Sequence, residues 1–458
     1  MMKRHILAVF MALFIVAAFV GCNIGSSTSQ ESSSLSDSSY ASIDTSNTNP
    51  LTVDTSGAKL RDITLENKTI RLYTMETLES MSSSDDVPSA YDLFVDVYGG
   101  KVEIEPIVSW DTYYEKLNML YMSENMPDVI WPMSETYPQD IANQLIQPVD
   151  PYIELDSPLW ASTRALNETL SWRGKHYIAL LDNGIPSMLY FNPVLFDENG
   201  LDSPLDYYER DEWNWNTLLE LAQALTYDDI WGFGCEGDEF IDSTGITQVE
   251  IKDGKPINNI RCQEIADAAN FLRDFGAAKY NAFSPVPSYN LSKAFVAGKV
   301  AMFAGEWWES TGTLKDLWLK GQVDFVPFPK YPGADIYYYG GNIWCHTIGA
   351  NAKNPEGAGL YLDCLKYVRT DAFAKEYNTN KYQWLINVGG TEKQVARYTE
   401  MVNTNVAILP TWYGWYGQGS NRGIWYLQDT PWSTLLEQFL PPVEKHMKEL
   451  EAKLDKVG

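Results

Sequence analysis

Short apolar stretches with the two-residue period of strands alternate with stretches that repeat every three to four residues, as helices do. The first such succession has predicted strands at residues 70–74, 102–105 and 127–131, with a helix that begins at residues 110–117. In that helix Tyr113, Leu117 and Leu120 share one apolar face. Thr112 stands three residues before Glu115, which is the spacing of a capping box. Strand, helix and strand in this order predict a parallel βαβ unit and an α/β fold.

The same pattern recurs further along the chain. Predicted helices lie at residues 213–226, 291–297, 355–369 and 432–455, and a strand lies at 300–303. Gly298 stands between the second of these helices and the strand, where a left-handed residue can end the helix. The α/β organisation is therefore expected to extend through most of the chain.

Aromatic and polar side chains gather just beyond the predicted strands. In open α/β sheets, ligands bind beyond the carboxyl ends of the strands. A sugar ring presents an apolar C–H face that rests on an aromatic ring, and hydroxyl groups that bond to carboxylates and amides. Trp307 and Trp308 lie four and five residues after the end of the strand at 300–303, and the start of a helix beyond a strand is seldom core. The distribution suits a sugar-like ligand, although for each tryptophan the alternative is a place in the core.

The composition narrows the class of partner. The chain has 458 residues, with 34 basic and 61 acidic side chains and a net charge of −27. Nucleic acid is an unsuitable partner, since binding to phosphates requires clustered Lys and Arg. Aromatic residues make up 13% of the chain, more than a core needs. The negative charge also favours a neutral sugar over an acidic one, although a local arginine such as Arg422 could reverse this preference.

The N-terminus carries the parts of an export signal. Lys3 and Arg4 precede an apolar run at residues 6–20, and Cys22 follows Gly21. We therefore expect a signal peptide at 1–21 and a lipidated Cys22 that anchors the chain at the extracellular face of the bacterial cell membrane. The alternative is a plain secretory signal with a coincidental cysteine. Residues 22–58 are rich in Ser and Thr, and we expect them to form a disordered tether.

Cysteine and histidine are too sparse for most kinds of reactive site. Cys235, Cys262, Cys345 and Cys364 remain after the leader, with four histidines in the whole chain and no CxxC pair. A zinc site or a Cys–His nucleophile is therefore unsupported, and we expect no metal and no cofactor. Buried thiols are the expected state, although export allows a disulfide, for which Cys235 and Cys262 are the nearer pair.

Seven short stretches resemble those of a known family. They lie, in this order, at residues 110–117, 126–130, 172–180, 190–201, 213–215, 295–302 and 353–358. The family is that of the extracellular solute-binding proteins (family 1) of carbohydrate ABC transporters, which includes maltose-binding protein. The resemblance implies a two-lobed periplasmic-binding-protein-like fold of type II, with a hinge between discontinuous lobes. The implied lobes are 59–180 plus 331–385 and 181–330 plus 386–458, with crossings near 177–184, 328–334 and 383–389.

The resemblance and the ends of the predicted strands together give the candidate ligand-binding residues. By the resemblance, Trp307 stacks on the ligand. The other candidates, chosen by position, are Glu76, Trp131, Asp182, Glu236 or Asp238, Trp308, Asn342, Trp344, and one of Trp412 or Trp415.

The implied function is a lipid-anchored receptor that captures a sugar or oligosaccharide and delivers it to the permease subunits of an ABC importer. The resemblance implies a monomer that performs no chemistry. One alternative is a binding lipoprotein of the same shape that reports sugar to a sensor kinase. Another is a surface glycoside hydrolase, which would need two carboxylates roughly 5–10 Å apart. No nucleophile-elbow, metalloprotease or phosphate-loop motif appears in the sequence.

Overall fold

The structure is a computed structural model of the chain. It describes residues 53–83, 86–133, 135–182, 187–252, 255–276, 279–340, 344–380, 382–404, 406–408, 412–416 and 430–457. All of these lie in one compact unit that spans residues 45–458. The predicted signal peptide, Cys22 and most of the predicted tether fall outside the described residues. None of the helices in the described ranges is both long and apolar enough to cross a membrane.

Fourteen strands are described, and most are short. They are β1 Thr69–Thr74, β2 Lys101–Pro106, β3 Val129–Ile130, β4 Ile146–Gln147, β5 Ala179–Leu180, β6 Met188–Phe191, β7 Trp231–Gly234, β8 Val249–Lys252, β9 Lys255–Asn258, β10 Val300–Gly305, β11 Asp324–Pro327, β12 Tyr338–Gly340, β13 Cys345–Gly349 and β14 Val406–Ile408. Six of them form one sheet in the order β2-β1-β3-β13-β4, with β5 paired to β13. Four form a second sheet in the order β11-β6-β10-β7. The remaining pairs are β12 with β14 and β8 with β9.

The α-helices lie between these strands and pack on the sheets. They are α1 Leu78–Met81, α2 Ala90–Tyr98, α3 Tyr113–Met122, α4 Thr136–Ala142, α5 Arg164–Thr169, α6 Pro193–Asn199, α7 Pro204–Glu209, α8 Trp215–Ala224, α9 Asp238–Asp242, α10 Gln263–Gly276, α11 Leu291–Val296, α12 Trp307–Thr311, α13 Lys315–Trp318, α14 Pro355–Tyr367, α15 Asp371–Glu376, α16 Gln383–Asn387, α17 Glu392–Thr404, α18 Trp412–Tyr416 and α19 Trp432–Leu454. Three short 3-10 segments, Trp110–Thr112, Pro158–Thr163 and Ser288–Asn290, each lead directly into a helix.

The first sheet and the helices on it form what we call lobe 1. Strand β1 is parallel to β2, with Thr69 opposite Lys101, and parallel to β3, with Leu72 opposite Val129. The predicted βαβ unit is thereby confirmed. Helices α2 and α14 pack together over this sheet, where Phe94 meets Tyr361 edge to face with ring centroids 5.5 Å apart.

The second sheet and its helices form lobe 2. Its central strand β10 is parallel to β7 and antiparallel to β6, so the carboxyl ends of β7 and β10 lie at one edge. Helix α11 ends before Gly298, whose φ of +69° confirms the predicted left-handed position. Tyr190 and Phe303 stack within the core of this lobe, with ring centroids 5.2 Å apart.

The chain passes between the two lobes three times. It leaves lobe 1 after β5 and enters lobe 2 at β6, and it returns between β11 and β13. The third passage lies between α15, whose Phe373 is in the lobe 1 core, and α16, whose Leu385 is in the lobe 2 core. Residues 383–387 are therefore helical and belong with lobe 2, rather than forming the crossing expected at 383–389. The exact lobe boundaries remain predictions.

The C-terminal helix α19 contacts both lobes. It packs on α4 of lobe 1 and on α10 and β9 on the lobe 2 side. Near its end, Lys453 Nζ donates to Asn143 Oδ1 at 3.2 Å, and Asp455, one residue beyond the helix, pairs with Arg173. Its apolar face joins a core cluster that includes residues of both sheets. An assignment of 386–458 to lobe 2 alone does not describe these contacts.

The start of α3 differs from the expected capping box. Thr112 ends the 3-10 segment that precedes α3, and its side chain makes no capping hydrogen bond. Ser109 caps this segment instead, because its side chain accepts from the backbone N–H of Asp111 at 3.2 Å. The capping hydroxyl is therefore that of Ser109, about one turn before Thr112, the residue that the sequence spacing indicated.

Candidate functional site

Three polar or aromatic side chains follow strands of lobe 1 at one edge of the sheet. Glu76 follows β1, Trp131 follows β3 and Asp182 follows β5. Strands β3 and β5 both pair antiparallel with β13, and β1 is parallel to β3, so all three strands end at the same edge. The structure thus places these predicted residues where a ligand of an α/β sheet is expected.

Lobe 2 presents a second set of side chains at the carboxyl ends of its parallel strands. Glu236 lies two residues after β7, and Glu306 lies directly after β10 and immediately before α12. Trp307 and Trp308 form the first turn of α12. Trp307 is half-buried, and Trp308 keeps 43% of its surface exposed.

Tryptophan rings from the two lobes meet at Trp307. Its ring centroid lies 6.3 Å from that of Trp344, which stands just before β13 of lobe 1, and the two planes are nearly perpendicular at 86°. The ring of Trp384 in α16 lies 5.5 Å away and that of Trp308 lies 6.4 Å away. This group of four rings, which we call the tryptophan cluster, is half-buried apart from the more exposed Trp308. It offers flat apolar surface at the meeting point of the lobes.

An arginine lies against this cluster on the lobe 1 side. The guanidinium carbon of Arg369, which follows α14, is 5.2 Å from the centroid of the Trp344 ring. Desolvation lowers the pKa of Arg369, and the negative charges of Asp182 and Glu76 act in the opposite direction. Partial desolvation raises the pKa of the Glu76 carboxyl, which the charge of Arg369 counteracts. The site therefore combines a cation, carboxylates and rings.

A second aromatic group lies beside the end of β3. The ring of Trp131 is 6.1 Å from that of His346 and 6.4 Å from that of Trp110. Burial lowers the pKa of His346 to about 3, and the nearby charge of Arg369 adds to this effect. The imidazole is therefore neutral at ordinary pH, and it adds a polar but uncharged group to the lobe 1 side of the candidate site, which we call the lobe 1 wall.

Lobe 2 contributes a group of crowded carboxylates. Burial raises the pKa of Glu306 to about 8 and that of Glu239 to about 7, and each is raised further by neighbouring carboxylates. Burial raises the pKa of Asp242 well above its ordinary value, with Asp238 and Glu239 contributing. The Oε2 atom of Glu306 is buried and has no hydrogen-bond partner among the described residues. Near pH 7 protonated Glu306 can donate a hydrogen bond as well as accept one.

Residues 90–382 match the family described as bacterial extracellular solute-binding proteins. The match covers well over half of the chain. The chain belongs to this family.

Several solved structures have a fold similar to that of this solute-binding protein. One is the galacto-N-biose-/lacto-N-biose I-binding protein of the ABC transporter from Bifidobacterium longum, with 13% identity and a TM-score of 0.61 over 84% of this chain and 98% of that chain. Another is an ABC substrate-binding protein from Listeria monocytogenes in complex with cycloalternan, with 16% identity and a TM-score of 0.56 over 85% and 97%. A third is the maltose-maltodextrin binding protein of Alicyclobacillus acidocaldarius, with 14% identity and a TM-score of 0.51 over 84% and 100%. The predicted two-lobed fold is thereby confirmed.

Most of the ligand-binding candidates from the sequence analysis lie at the ends of strands, but Trp415 does not. Trp415 is fully buried in the core, where its ring lies 6.1 Å from that of Trp172. It packs there because α18 lies against α4. Asn342 falls outside the described residues, and for Trp412 only the backbone is described.

Several polar and aromatic residues of the site were not among the sequence candidates. Glu306 had the same signal as Trp307, because it lies three residues after the end of the strand predicted at 300–303. Arg369 and Trp384 had no such signal, since each reaches the site only through the packing of helices distant in sequence. The four described cysteines beyond the leader are buried and take part in no disulfide within the described residues. No group of His, Cys, Asp and Glu in the described ranges could hold a metal ion.

Proposed function

We propose that this solute-binding protein captures a neutral sugar or oligosaccharide between its two lobes and releases it unchanged. The observation that carries the proposal is the meeting of Trp307 of lobe 2 with Trp344 of lobe 1, beside Glu76, Asp182 and Arg369. Rings suit the C–H faces of a pyranose, and the charged groups suit its hydroxyls. Two of the similar structures described above are of proteins named for the sugars they bind, and the third is in complex with cycloalternan.

Ligand capture follows from contacts that exist only when the lobes are close. A sugar that touches both Trp307 and Trp344 binds the closed arrangement more tightly than an open one, and therefore shifts the population toward closure. The chain passes three times between the lobes near these rings. Closure by a hinge is the motion that this connectivity allows.

We further propose that the protein is anchored through a lipid on Cys22 and delivers its ligand to the permease of an ABC importer. The basic and apolar leader before Cys22 and the Ser-rich stretch after it support this arrangement. Expression in a bacterial host with labelled palmitate should place the label on the wild-type protein in the membrane fraction. A Cys22→Ser variant should lose both the label and the membrane association, and label retained by that variant would contradict the proposal.

Calorimetric titration with a panel of neutral glycans tests the binding proposal. Maltotetraose, cycloalternan and lacto-N-biose are suitable members, and at least one neutral glycan of the panel should give saturable heat with no product. A Trp307→Ala variant should weaken that binding by about 1–3 kcal/mol, because it removes a stacking ring. Tyr227→Ala is the matched control, since this ring is 38% exposed and precedes the opposite, amino end of β7. If the Trp307→Ala variant kept wild-type affinity but had a lower melting temperature, Trp307 would have a purely structural role.

One observation favours a second function, hydrolysis of a glycan. A carboxyl group whose pKa is raised to about 8, as in Glu306, remains protonated near neutral pH and could act as a general acid. Hydrolysis would release new reducing ends from maltotetraose at a rate that Glu306→Gln abolishes. A purely binding role predicts no such release from wild type or variant.

A further inference from the structure

The arginines of lobe 1 and lobe 2 differ in how fully their guanidinium groups are used within the protein. Arg61 bonds to Asp363 at 2.6 Å and to the carbonyl of Tyr152 at 2.7 Å. Arg397 bonds to Asp324 at 2.8 Å and to the carbonyl of Phe325 at 2.6 Å. Both therefore have clear structural roles in joining elements of their lobes.

Arg369 has far fewer partners. A guanidinium group carries five N–H donors, yet within the described residues only Nη1 of Arg369 donates, to the carbonyl of Leu365 one turn earlier. None of the ion pairs in the described part of the chain includes Arg369, so no described carboxylate lies within 4.0 Å of it. None of its nitrogen atoms is among the buried atoms that lack a partner. Arg369 as a whole is half-buried, so several of its donors have no described protein partner and can still be reached by a ligand at the edge of the site.

The Arg369 guanidinium is nevertheless held by two contacts, the hydrogen bond to Leu365 and the ring of Trp344. Its central carbon lies 5.2 Å from the centroid of the Trp344 ring, within the range of a cation–π contact. Trp344 itself is tied to lobe 1, because its carbonyl accepts from the backbone N–H of Leu181 at 2.7 Å. An arginine held in this way loses little conformational freedom when it binds a ligand.

The charges around Arg369 complete a hydroxyl-binding arrangement. Glu76 and Asp182 are close enough for their charges to act on Arg369, but neither pairs with it directly. A sugar hydroxyl both accepts and donates a hydrogen bond. It can accept from the guanidinium and donate to the carboxylate of Glu76, so one hydroxyl can bond to both groups.

We propose that Arg369 is a ligand-contacting, specificity-determining residue that donates two hydrogen bonds to neighbouring hydroxyl oxygens of the sugar beside Trp344. The inference rests on the proposed function, since it names the ligand chemistry that the lobe 1 wall selects. Two donors of one planar guanidinium group match two adjacent hydroxyls, and a sugar that lacks one of these hydroxyls leaves a donor unsatisfied. The wall thereby discriminates between sugars by the arrangement of their hydroxyls.

Calorimetry with the sugar of the panel that binds wild type most tightly, among maltotetraose, cycloalternan and lacto-N-biose, tests this assignment. Arg369→Met should weaken binding about tenfold or more, equivalent to about 1.4 kcal/mol. Arg369→Lys should fall between this variant and wild type, because it keeps the charge but not the paired donors. Arg164→Met is the matched control, since this lobe 1 arginine is 44% exposed and bonds chiefly to a backbone carbonyl. Wild-type affinity in Arg369→Met would overturn the inference.

A spectroscopic measurement separates direct contact from an effect on folding. The side-chain Nε–H signal of Arg369, assigned by its loss in Arg369→Lys, should shift when the sugar is added to wild-type protein labelled with ¹⁵N. An affinity loss in Arg369→Met without that shift would also overturn the direct contact. If no neutral glycan binds wild type, the proposed function fails together with this inference. If wild type binds and the Arg369 variants bind equally well, only the inference fails.

Discussion

The crowded carboxylates of lobe 2 make the stability of the protein depend on pH. Glu306 has an ordinary pKa of 4.5 when unfolded, and burial followed by the charges of Glu239 and Glu236 raises its pKa to about 8 in the folded protein. Between these values the folded state holds a proton that the unfolded state has released. The stabilisation is therefore complete below about pH 4.5 and is lost as the pH rises through about 8.

The size of the effect follows from linkage. One such proton changes the free energy of unfolding by up to about 1.4 kcal/mol per pH unit. Between about pH 6 and pH 8, Glu306 could contribute up to roughly 2–3 kcal/mol, and partial solvent access reduces this to roughly 1–2 kcal/mol. Glu239, whose pKa is raised to about 7, adds a smaller loss in the same range.

Urea unfolding at a series of pH values measures this dependence. Wild type should lose stability between about pH 6 and pH 8, and Glu306→Gln should lose roughly 1 kcal/mol less, because glutamine cannot ionise. Asp316→Asn is the control, since this carboxylate of α13 is exposed on the same lobe. The reasoning would be refuted if Glu306→Gln followed the wild-type curve, or if stability increased over this range.

Two further substitutions test the cores. Asp363→Ala should lower the free energy of unfolding by about 3–5 kcal/mol, because Arg61, whose Nε lies 2.6 Å from Asp363 Oδ2, would lose its charged partner. Urea unfolding measures this loss. A change below about 1 kcal/mol would contradict the prediction. Trp415→Ala should cost about 3–5 kcal/mol by leaving a cavity at a fully buried site. Calorimetry should show sugar affinity within about twofold of wild type for that variant, and a larger loss would place Trp415 in the ligand site.

The parts of the fold that the sequence predicted depend on local periodicity. The strand at β1, the helix α3 and the left-handed Gly298 each follow from side chains within one or two turns of one another. The strand-end rule then placed Trp307 and Glu76 beyond the ends of predicted strands, and both lie there in the structure. The rule requires only the end of each strand and the direction of its neighbours.

The missed parts depend on packing between distant segments. Arg369 reaches the site because α14 places it beside Trp344, and Trp384 reaches it because α16 packs on lobe 2. Trp415 has the composition expected of a ligand platform, but α18 turns it into the core against Trp172. The aromatic content of a segment cannot distinguish a ligand platform from a core position, since both require the same residue types.

The attachment of α19 to both lobes affects how the molecule melts. Its first turns lie beside α18, where Phe439 meets Tyr416 at 5.8 Å, and its last turn donates from Lys453 to Asn143 of lobe 1. Loss of either lobe would expose part of the buried face of this helix, so neither lobe is stable without the other. Heating should therefore produce one cooperative endotherm for residues 53–457, even though the proposed ligand capture moves the two lobes relative to each other.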